Sequence, residues 1–185
     1  EINFDELANS EWLYIEGYLV TGPNSKAAAI KAREFAKAKG IKTSITLSDP
    51  GIVGYFKDGL KEMIGDGIDL LFCNEAEALE YTGKSTLIEA GEELKKVAKS
   101  YAITLGSKGA VLYDGQKSYQ IDTAKVKALD TNGAGDLFAG TFLYGINNGM
   151  NFQEAGKMAC CASSILVTQF GPRLKKEQLL KVKEL

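Results

Sequence analysis

The run Leu129-Asp130-Thr131-Asn132-Gly133-Ala134-Gly135-Asp136-Leu137-Phe138-Ala139-Gly140 sets two glycines and a carboxylate at the start of an apolar helical pattern. Gly133 and Gly135 can take backbone angles closed to other residues, and they let a ligand approach the main chain without meeting a Cβ. The first amides of the following helix have no intrahelical acceptor, and with the helix dipole they favour an anion. A carboxylate beside an anion site repels it, so Asp136 needs another reason to be there. One reading gives the glycine turn a transferring phosphoryl group and gives Asp136 the proton of an attacking hydroxyl. The other makes Asp136 a charge that complements the helix dipole, with the glycines serving only the turn.

Two further stretches carry polar groups where chemistry could sit. The apolar run Ile68 to Cys73 leads into Asn74-Glu75-Ala76-Glu77. Asn74 can cap the helix that follows, with Glu77 at the capping-box position. The same pair could organise hydrated magnesium and phosphate. The run Tyr101 to Leu105 leads into Gly106-Ser107-Lys108-Gly109. Gly106 and Gly109 suit a tight strand-to-strand turn, and Lys108 is either a phosphate contact or a solvated lysine.

Composition removes several classes. The 185 residues include no histidine, which excludes a histidine triad, a histidine-ligated zinc site and a histidine base. Three cysteines form no CxxC, and adjacent Cys160 and Cys161 lie in an apolar helical run as small core residues. A reducing, cytoplasmic setting fits them better than secretion. A net charge of −2 is not that of a nucleic-acid surface. No apolar stretch reaches membrane-spanning length. Neither GxGxxG nor GxxxxGK[ST] is present.

The elements that must position these residues alternate between strand and helix. Trp12 to Tyr18 reads as a strand, and Gly22-Pro23-Asn24-Ser25 breaks it, with Asn24 or Ser25 as a helix cap. Ala28, Ala32, Phe35 and Ala36 then make one helical face to about Lys39. Thr43 to Leu47 is the next strand, with Lys42-Thr43-Ser44 as its exposed beginning. Tyr55, Phe56, Leu60 and Met63 mark a helix that leaves at Gly65-Asp66-Gly67. Thr86 and Glu89 form a capping box for a helix faced by Leu87, Ala90, Leu94 and Val97. Ala110 to Tyr113 and Lys117 to Ile121 flank Asp114-Gly115, which suits a hairpin with a type I′ turn. Leu137, Phe138, Thr141, Phe142 and Gly145 stripe the helix after Asp136, which Asn147-Asn148-Gly149 stops. Asn151 and Glu154 cap a last long helix whose small residues allow close packing against a helix or a flat ring. Gly171-Pro172-Arg173 follows, then a short Lys/Glu-rich helix from Leu174 to Leu185. The expected fold is three-layer α/β with a mainly parallel, Rossmann-like sheet and an antiparallel edge hairpin.

Asp130-Thr131-Asn132-Gly133-Ala134-Gly135-Asp136 resembles the signature of the ribokinase-like (PfkB) carbohydrate and nucleoside kinases. Asn74 and Glu77 resemble that family's second motif, and Thr104, Gly106 and Gly109 its Thr-x-Gly-x-x-Gly run. The resemblance implies an ATP- and Mg²⁺-dependent kinase acting on a small-molecule nucleoside or sugar, with no nucleic-acid or membrane partner. Gly133, Ala134 and Gly135 would form the anion hole and Asp136 would be the general base. Thr104, Gly106, Gly109, Thr131 and Asn132, with Asn74, would lie along the nucleotide. Asn74 and Glu77 would meet Mg²⁺ through water, since magnesium dehydrates reluctantly. Within the family the sequence looks closest to adenosine kinases, on Asn132, Thr46-Leu47-Ser48 and Leu71 to Glu77; Asp49 departs from their usual alanine. Sugar kinases of the same family are the alternative. A non-catalytic nucleotide-binding or interaction domain is the alternative of another class, and two carboxylates alone do not support a glycosidase.

The resemblance is read from about Trp12 to Arg173, and residues 1–185 as the C-terminal portion of a kinase domain that carries the nucleotide and phosphoryl-transfer half. On that reading an N-terminal part and a lid are missing. These residues alone would then phosphorylate nothing, and an open sheet edge would invite self-association or completion by the missing part.

Overall fold

The computed structural model describes residues 2–183 and divides into two compact units, 1–102 and 103–185. The first begins with helix α1, Phe4–Ala8, where a strand was the first element expected. Asn3 caps it, its Oδ1 accepting the Glu6 amide at 3.2 Å. Leu7 packs with Ala32, Ala36 and Ile41, and Phe4 tilts against Phe35 at 4.8 Å between ring centroids. The segment before Trp12 is therefore part of this unit's core.

Strand β1, Trp12–Glu16, gives way to a 3-10 helix at Gly17–Thr21, so the expected strand is two residues shorter. Gly17 lies so close to β2 that a Cβ there would stand 2.5 Å from the Thr46 carbonyl oxygen. Helix α2, Pro23–Ala38, starts with Gly22 as N-cap and no side-chain cap. Proline's fixed φ opens it instead. Ser25, expected as a cap, turns its hydroxyl onto the Leu19 and Gly22 carbonyls.

Strand β2, Lys42–Thr46, pairs in parallel with β1 and with β3, Ile68–Asn74. Its expected exposed start is exposed only at Lys42; Thr43 and Ser44 are buried. Both are tolerated because they are hydrogen-bonded: Thr43 to the Asp69 carboxylate, Ser44 to the Leu13 carbonyl. Helix α3, Pro50–Ile64, is N-capped by Asp49 and buries Leu60 and Met63. It does not bury Tyr55, which is 90% exposed, because the helix kinks at Phe56. Helices α4, Glu75–Thr82, and α5, Leu87–Leu94, lead to β4, Ala98–Thr104, which begins three residues before the expected Tyr101 and crosses the boundary between the units. Strand order within the first unit is β1-β2-β3-β4, with β1 at the edge.

In the second unit β4 is followed by the antiparallel hairpin β5, Ala110–Tyr113, and β6, Ser118–Ile121. Its turn is not type I′, which needs two positive φ angles. Gly115 (φ 98°) is the single positive one in the loop. Asp114 fixes the turn from outside, its Oδ1 accepting the amides of Gln116 and Lys117 at 2.8 Å each. Helix α6, Ala134–Asn147, and α7, Phe152–Leu166, pack closely through Gly145 and Ala155, and Phe142 meets Phe152 edge-on at 5.1 Å. An Asn151–Glu154 capping box starts α7 as expected. Gly156 lets α7 lie on Leu112 and Ile121 of the hairpin. Helix α8, Lys176–Lys183, is anchored by buried Val182 on Met158 and Ala162. The last two residues of the expected tail helix lie outside the described residues. No helix among the described residues is long and apolar enough to cross a membrane.

Candidate active site

The 129–136 loop is clamped before the helix begins. The amides of Leu129 and Asp130 both donate to the Val167 carbonyl, at 2.7 and 3.3 Å. Asp130 Oδ1 accepts the Asn132 amide at 3.0 Å and Oδ2 the Gly171 amide at 2.9 Å. Those two hydrogen bonds hold the Asp130 carboxyl below the usual carboxylate range. Ser163, on α7, donates its hydroxyl to the Ala134 carbonyl at 3.1 Å. Gly133 is the N-cap of α6, left-handed at φ 74°, ψ 3°, and a Cβ there would lie 2.6 Å from Pro172 Cβ. No other residue type takes that angle and that contact without strain.

The turn satisfies some of its amides and leaves others open. The Ala134 amide donates to the Thr131 carbonyl at 3.2 Å, so it is not among the open ones. The amides of Gly135 and Asp136 reach no acceptor among the described residues. Asp136 itself is exposed, in the first turn of α6.

A cavity of about 240 Å³ opens against this turn. It brings together Thr104, Gly106, Gly109, Thr131, Ala134 and Gly135. Gly106 (φ 58°) and Gly109 (φ 89°) bracket a 3-10 turn, Gly106–Lys108. Asn132, Gly133, Asp136 and Lys108 are not in the lining. The sequence reading missed the remaining wall: Val126, Phe138, Cys160, Ser163, Ser164 and Val167 are its main members. The face of α7 expected to meet a helix or a flat ring, Ala155, Met158, Ala159, Ala162 and Leu166, is not the one that lines the cavity. Cys160 is both core and lining, and burial pushes its thiol up to about 11.

In the first unit the Asn74–Glu77 pair forms a full capping box at the start of α4. Asn74 Oδ1 accepts the Glu77 amide at 2.9 Å, while Glu77 Oε2 accepts the Asn74 amide at 3.0 Å and Oε1 accepts from Asn74 Nδ2 at 2.5 Å. Glu77 is 4% exposed. Burial raises its carboxyl, the Asn74 amide opposes that, and the Asp49 carboxylate adds to the rise. Burial, with the Glu77 charge, likewise pushes the Cys73 thiol up. Beside Asp49, Ser48 takes φ 71°, the sole positive φ of a non-glycine among the described residues. Strain of this kind collects at functional edges. No cluster of three or more His, Cys, Asp or Glu side chains among the described residues could ligate a metal directly.

The α/β fold, with a glycine turn capping a helix beside a cavity, defines the class as ribokinase-like. The chain belongs to the pfkB family of carbohydrate kinases, whose model matches residues 1–179. A probable sugar kinase from Rhizobium etli superposes with a TM-score of 0.93 at 32% identity, covering 99% of this chain and 56% of that one. Adenosine kinase from Sinorhizobium meliloti gives a TM-score of 0.93 at 32% identity, with coverages of 99% and 57%. Ribokinase from Lactococcus lactis is 34% identical over 122 residues, 66% of this chain and 39% of the ribokinase. The chain spans about half the length of most of the curated relatives it matches.

These findings correct the span of the resemblance, read as Trp12 to Arg173 within a C-terminal portion: the matches take in nearly the whole chain and about half of each solved relative. The family match begins at residue 1, the solved structures cover nearly the whole chain, and α1 is packed into the first unit. The expectation that these residues phosphorylate nothing rested on that reading, and the family match over residues 1–179 gives it no support.

Proposed function

We propose that the protein is an ATP-dependent phosphotransferase that moves the γ-phosphoryl group to a hydroxyl of a nucleoside, adenosine preferred. The observation that carries this reading is the cavity shared by the Gly106–Gly109 turn and the start of α6, with the Gly135 amide left without an acceptor. Thr104, Gly106, Gly109, Thr131 and Asn132 are proposed to lie along the nucleotide, and the turn from Gly133 to Gly135 to receive the phosphoryl oxygens. Asp136 takes the acceptor's proton as the hydroxyl oxygen bonds to the γ-phosphorus and the bond to the β-phosphate oxygen breaks, releasing ADP.

Asn74 and Glu77 fit the Mg²⁺ that accompanies ATP, held through water. Two carboxylates, Glu77 and Asp49, interact unfavourably there, and a hydrated divalent cation relieves that repulsion. Magnesium supplies charge neutralisation of the phosphates. Residues 1–185 then carry the nucleotide and phosphoryl-transfer part of the enzyme. Pairing of the β1 edge with a second copy is the self-association this reading allows.

A sugar acceptor is the second reading. It is favoured by equal structural likeness to a probable sugar kinase and to an adenosine kinase, at 32% identity each. ATP-consumption assays over adenosine, other nucleosides, ribose and fructose decide between them. Turnover with adenosine alone supports the first reading, and turnover with ribose or fructose but not adenosine defeats it. No acceptor-dependent ADP production with any of them rejects the phosphotransferase assignment.

A further inference from the structure

We propose that the cavity at the N-terminal ends of β2, β3 and β4 is a second ligand site, which binds a compact anion carrying two or more phosphate groups. The cavity holds about 300 Å³ and lies wholly within the first unit. Five lysines line it from separate stretches of chain: Lys37 near the end of α2, Lys42 at the start of β2, Lys95 and Lys96 after α5, and Lys99 in β4. Two carboxylates, Asp66 and Asp69, line it with them. The lining therefore carries a surplus of three positive charges in a chain whose net charge is −2, so the concentration is local and does not follow from composition. The cavity is remote from the proposed reaction. Strand β3 runs seven residues from Ile68, in this lining, to Asn74 at the proposed magnesium end, a span of about 20 Å.

The carboxylates on hand do not answer this charge. Asp69 is committed to the sheet: its Oδ2 accepts the Thr43 amide at 2.8 Å and the Thr43 hydroxyl at 3.2 Å, and its Oδ1 accepts from Lys99 at 2.7 Å. Asp66 is shared between Lys37 and the Arg33 guanidinium, 3.7 Å away. Lys95 and Lys96 pair with Glu92 at 2.5 Å and Glu93 at 2.7 Å, both outside the lining. Lys42 pairs with no carboxylate among the described residues, and its ammonium stands 5.4 Å from the centroid of the Trp12 ring. Exposed pairs of this kind contribute little, because water screens them and two long side chains have to be held in one geometry. Phosphate oxygens offer each ammonium a charge-assisted hydrogen bond instead, and one polyvalent anion serves several ammoniums at once. A cleft lined by one sign of charge between low-dielectric walls also focuses the field on what enters it. A concavity of this volume takes a small molecule, not the broad face of a bilayer or a duplex.

The test titrates the whole chain with inorganic pyrophosphate and with inorganic phosphate by calorimetry at low ionic strength. Saturable pyrophosphate binding is expected, with phosphate at least about tenfold weaker, since a single group satisfies fewer of the ammoniums. Pyrophosphate can also enter the cavity at α6, so the site is located by variants. Lys42→Gln with Lys96→Gln, both exposed, should weaken one pyrophosphate binding event at least about tenfold while shifting the unliganded Tm by less than about 2 °C. Lys96→Gln alone should weaken the same event about threefold, which keeps the test available if the double variant melts low. Lys157→Gln with Lys183→Gln removes the same charge from α7 and α8 and should leave every event within about twofold. The site is overturned if pyrophosphate does not bind, or if no binding event is weakened more by the cavity lysines than by the control pair. Phosphate binding as tightly as pyrophosphate overturns the assignment to two or more phosphate groups.

Discussion

Adding one methyl group at Gly133 and at Gly135 should have opposite effects on stability. At Gly133 an alanine must keep φ near 74°, and its Cβ would stand 2.6 Å from Pro172 Cβ and 3.0 Å from the Pro172 carbonyl oxygen. The left-handed angle costs roughly 1–2 kcal/mol, and forcing a methyl into a packed contact roughly 1–3 kcal/mol. Together Gly133→Ala should lose about 2–5 kcal/mol, a fall in Tm of at least about 4 °C for a chain of this size. At Gly135 the φ is not positive and a Cβ meets nothing within 4 Å. Gly135→Ala in the first turn of α6 should therefore keep or raise stability by up to about 1 kcal/mol. Yet Gly135 lines the cavity, so in the proposed role the methyl would occupy space the phosphoryl group takes. Thermal unfolding and ATP kinetics on both variants separate the effects: Gly133→Ala melts lower, and Gly135→Ala melts normally while its kcat/KM for ATP drops at least tenfold. A Gly133→Ala protein melting within 2 °C of the parent would refute the clash argument. Unchanged ATP kinetics in Gly135→Ala would refute the close-approach role.

Asp136→Asn removes the proposed base, so turnover should fall by about 10²- to 10⁴-fold with ATP affinity nearly kept; near-normal turnover removes Asp136 from the chemistry. Glu77 is raised in the folded protein, mainly by burial, so its protonated form is favoured there. Its contribution to stability is complete below the ordinary value of 4.5 and is lost as pH rises through the raised folded value. Glu77→Gln carries no such charge, and urea unfolding should show the variant gaining on the parent with pH across that window; a flat difference contradicts the shift. Asp69 behaves oppositely: burial pulls its carboxyl up, but hydrogen bonds from Lys99 and the Thr43 amide outweigh that and leave it lowered. Its contribution is present above the ordinary value of 3.8 and lost as pH falls through the lowered folded value. Asp69→Ala, which leaves the buried Thr43 amide without its partner, should cost about 1–3 kcal/mol at neutral pH by chemical denaturation, and less in acid.

The local code of the chain was legible because it is written in short-range chemistry. Capping boxes at Asn74–Glu77 and Asn151–Glu154 need only residues three apart, and both form as the sequence indicates. The same holds for the alternation of strands and helices, the antiparallel hairpin and the glycine turn before α6. What failed was decided by packing. Tyr55 lies in an apolar helical pattern but is turned out by the kink at Phe56. Thr43 and Ser44 look like an exposed strand start but are buried, because Asp69 and the Leu13 carbonyl lie across the sheet. Arg33, for which the sequence carries no expectation, is 6% exposed, its guanidinium donating to the Ile64 carbonyl across Gly65, where a Cβ would stand 1.6 Å from Nη1.

The sequence by itself determined which residues could do chemistry here, since a Gly-Ala-Gly-Asp run at a helix start is a property of neighbours along the chain. Only the tertiary structure decided what surrounds them. It ties Asp130 to Gly171, 41 positions away, sets Gly133 against Pro172 and lines the cavity with residues from the Gly106 turn to Val167. It also spends the Ala134 amide on Thr131 while leaving those of Gly135 and Asp136 open. Those are through-space relations between distant segments, fixed by helix packing and by where each hydrogen finds its acceptor, and no local pattern encodes them.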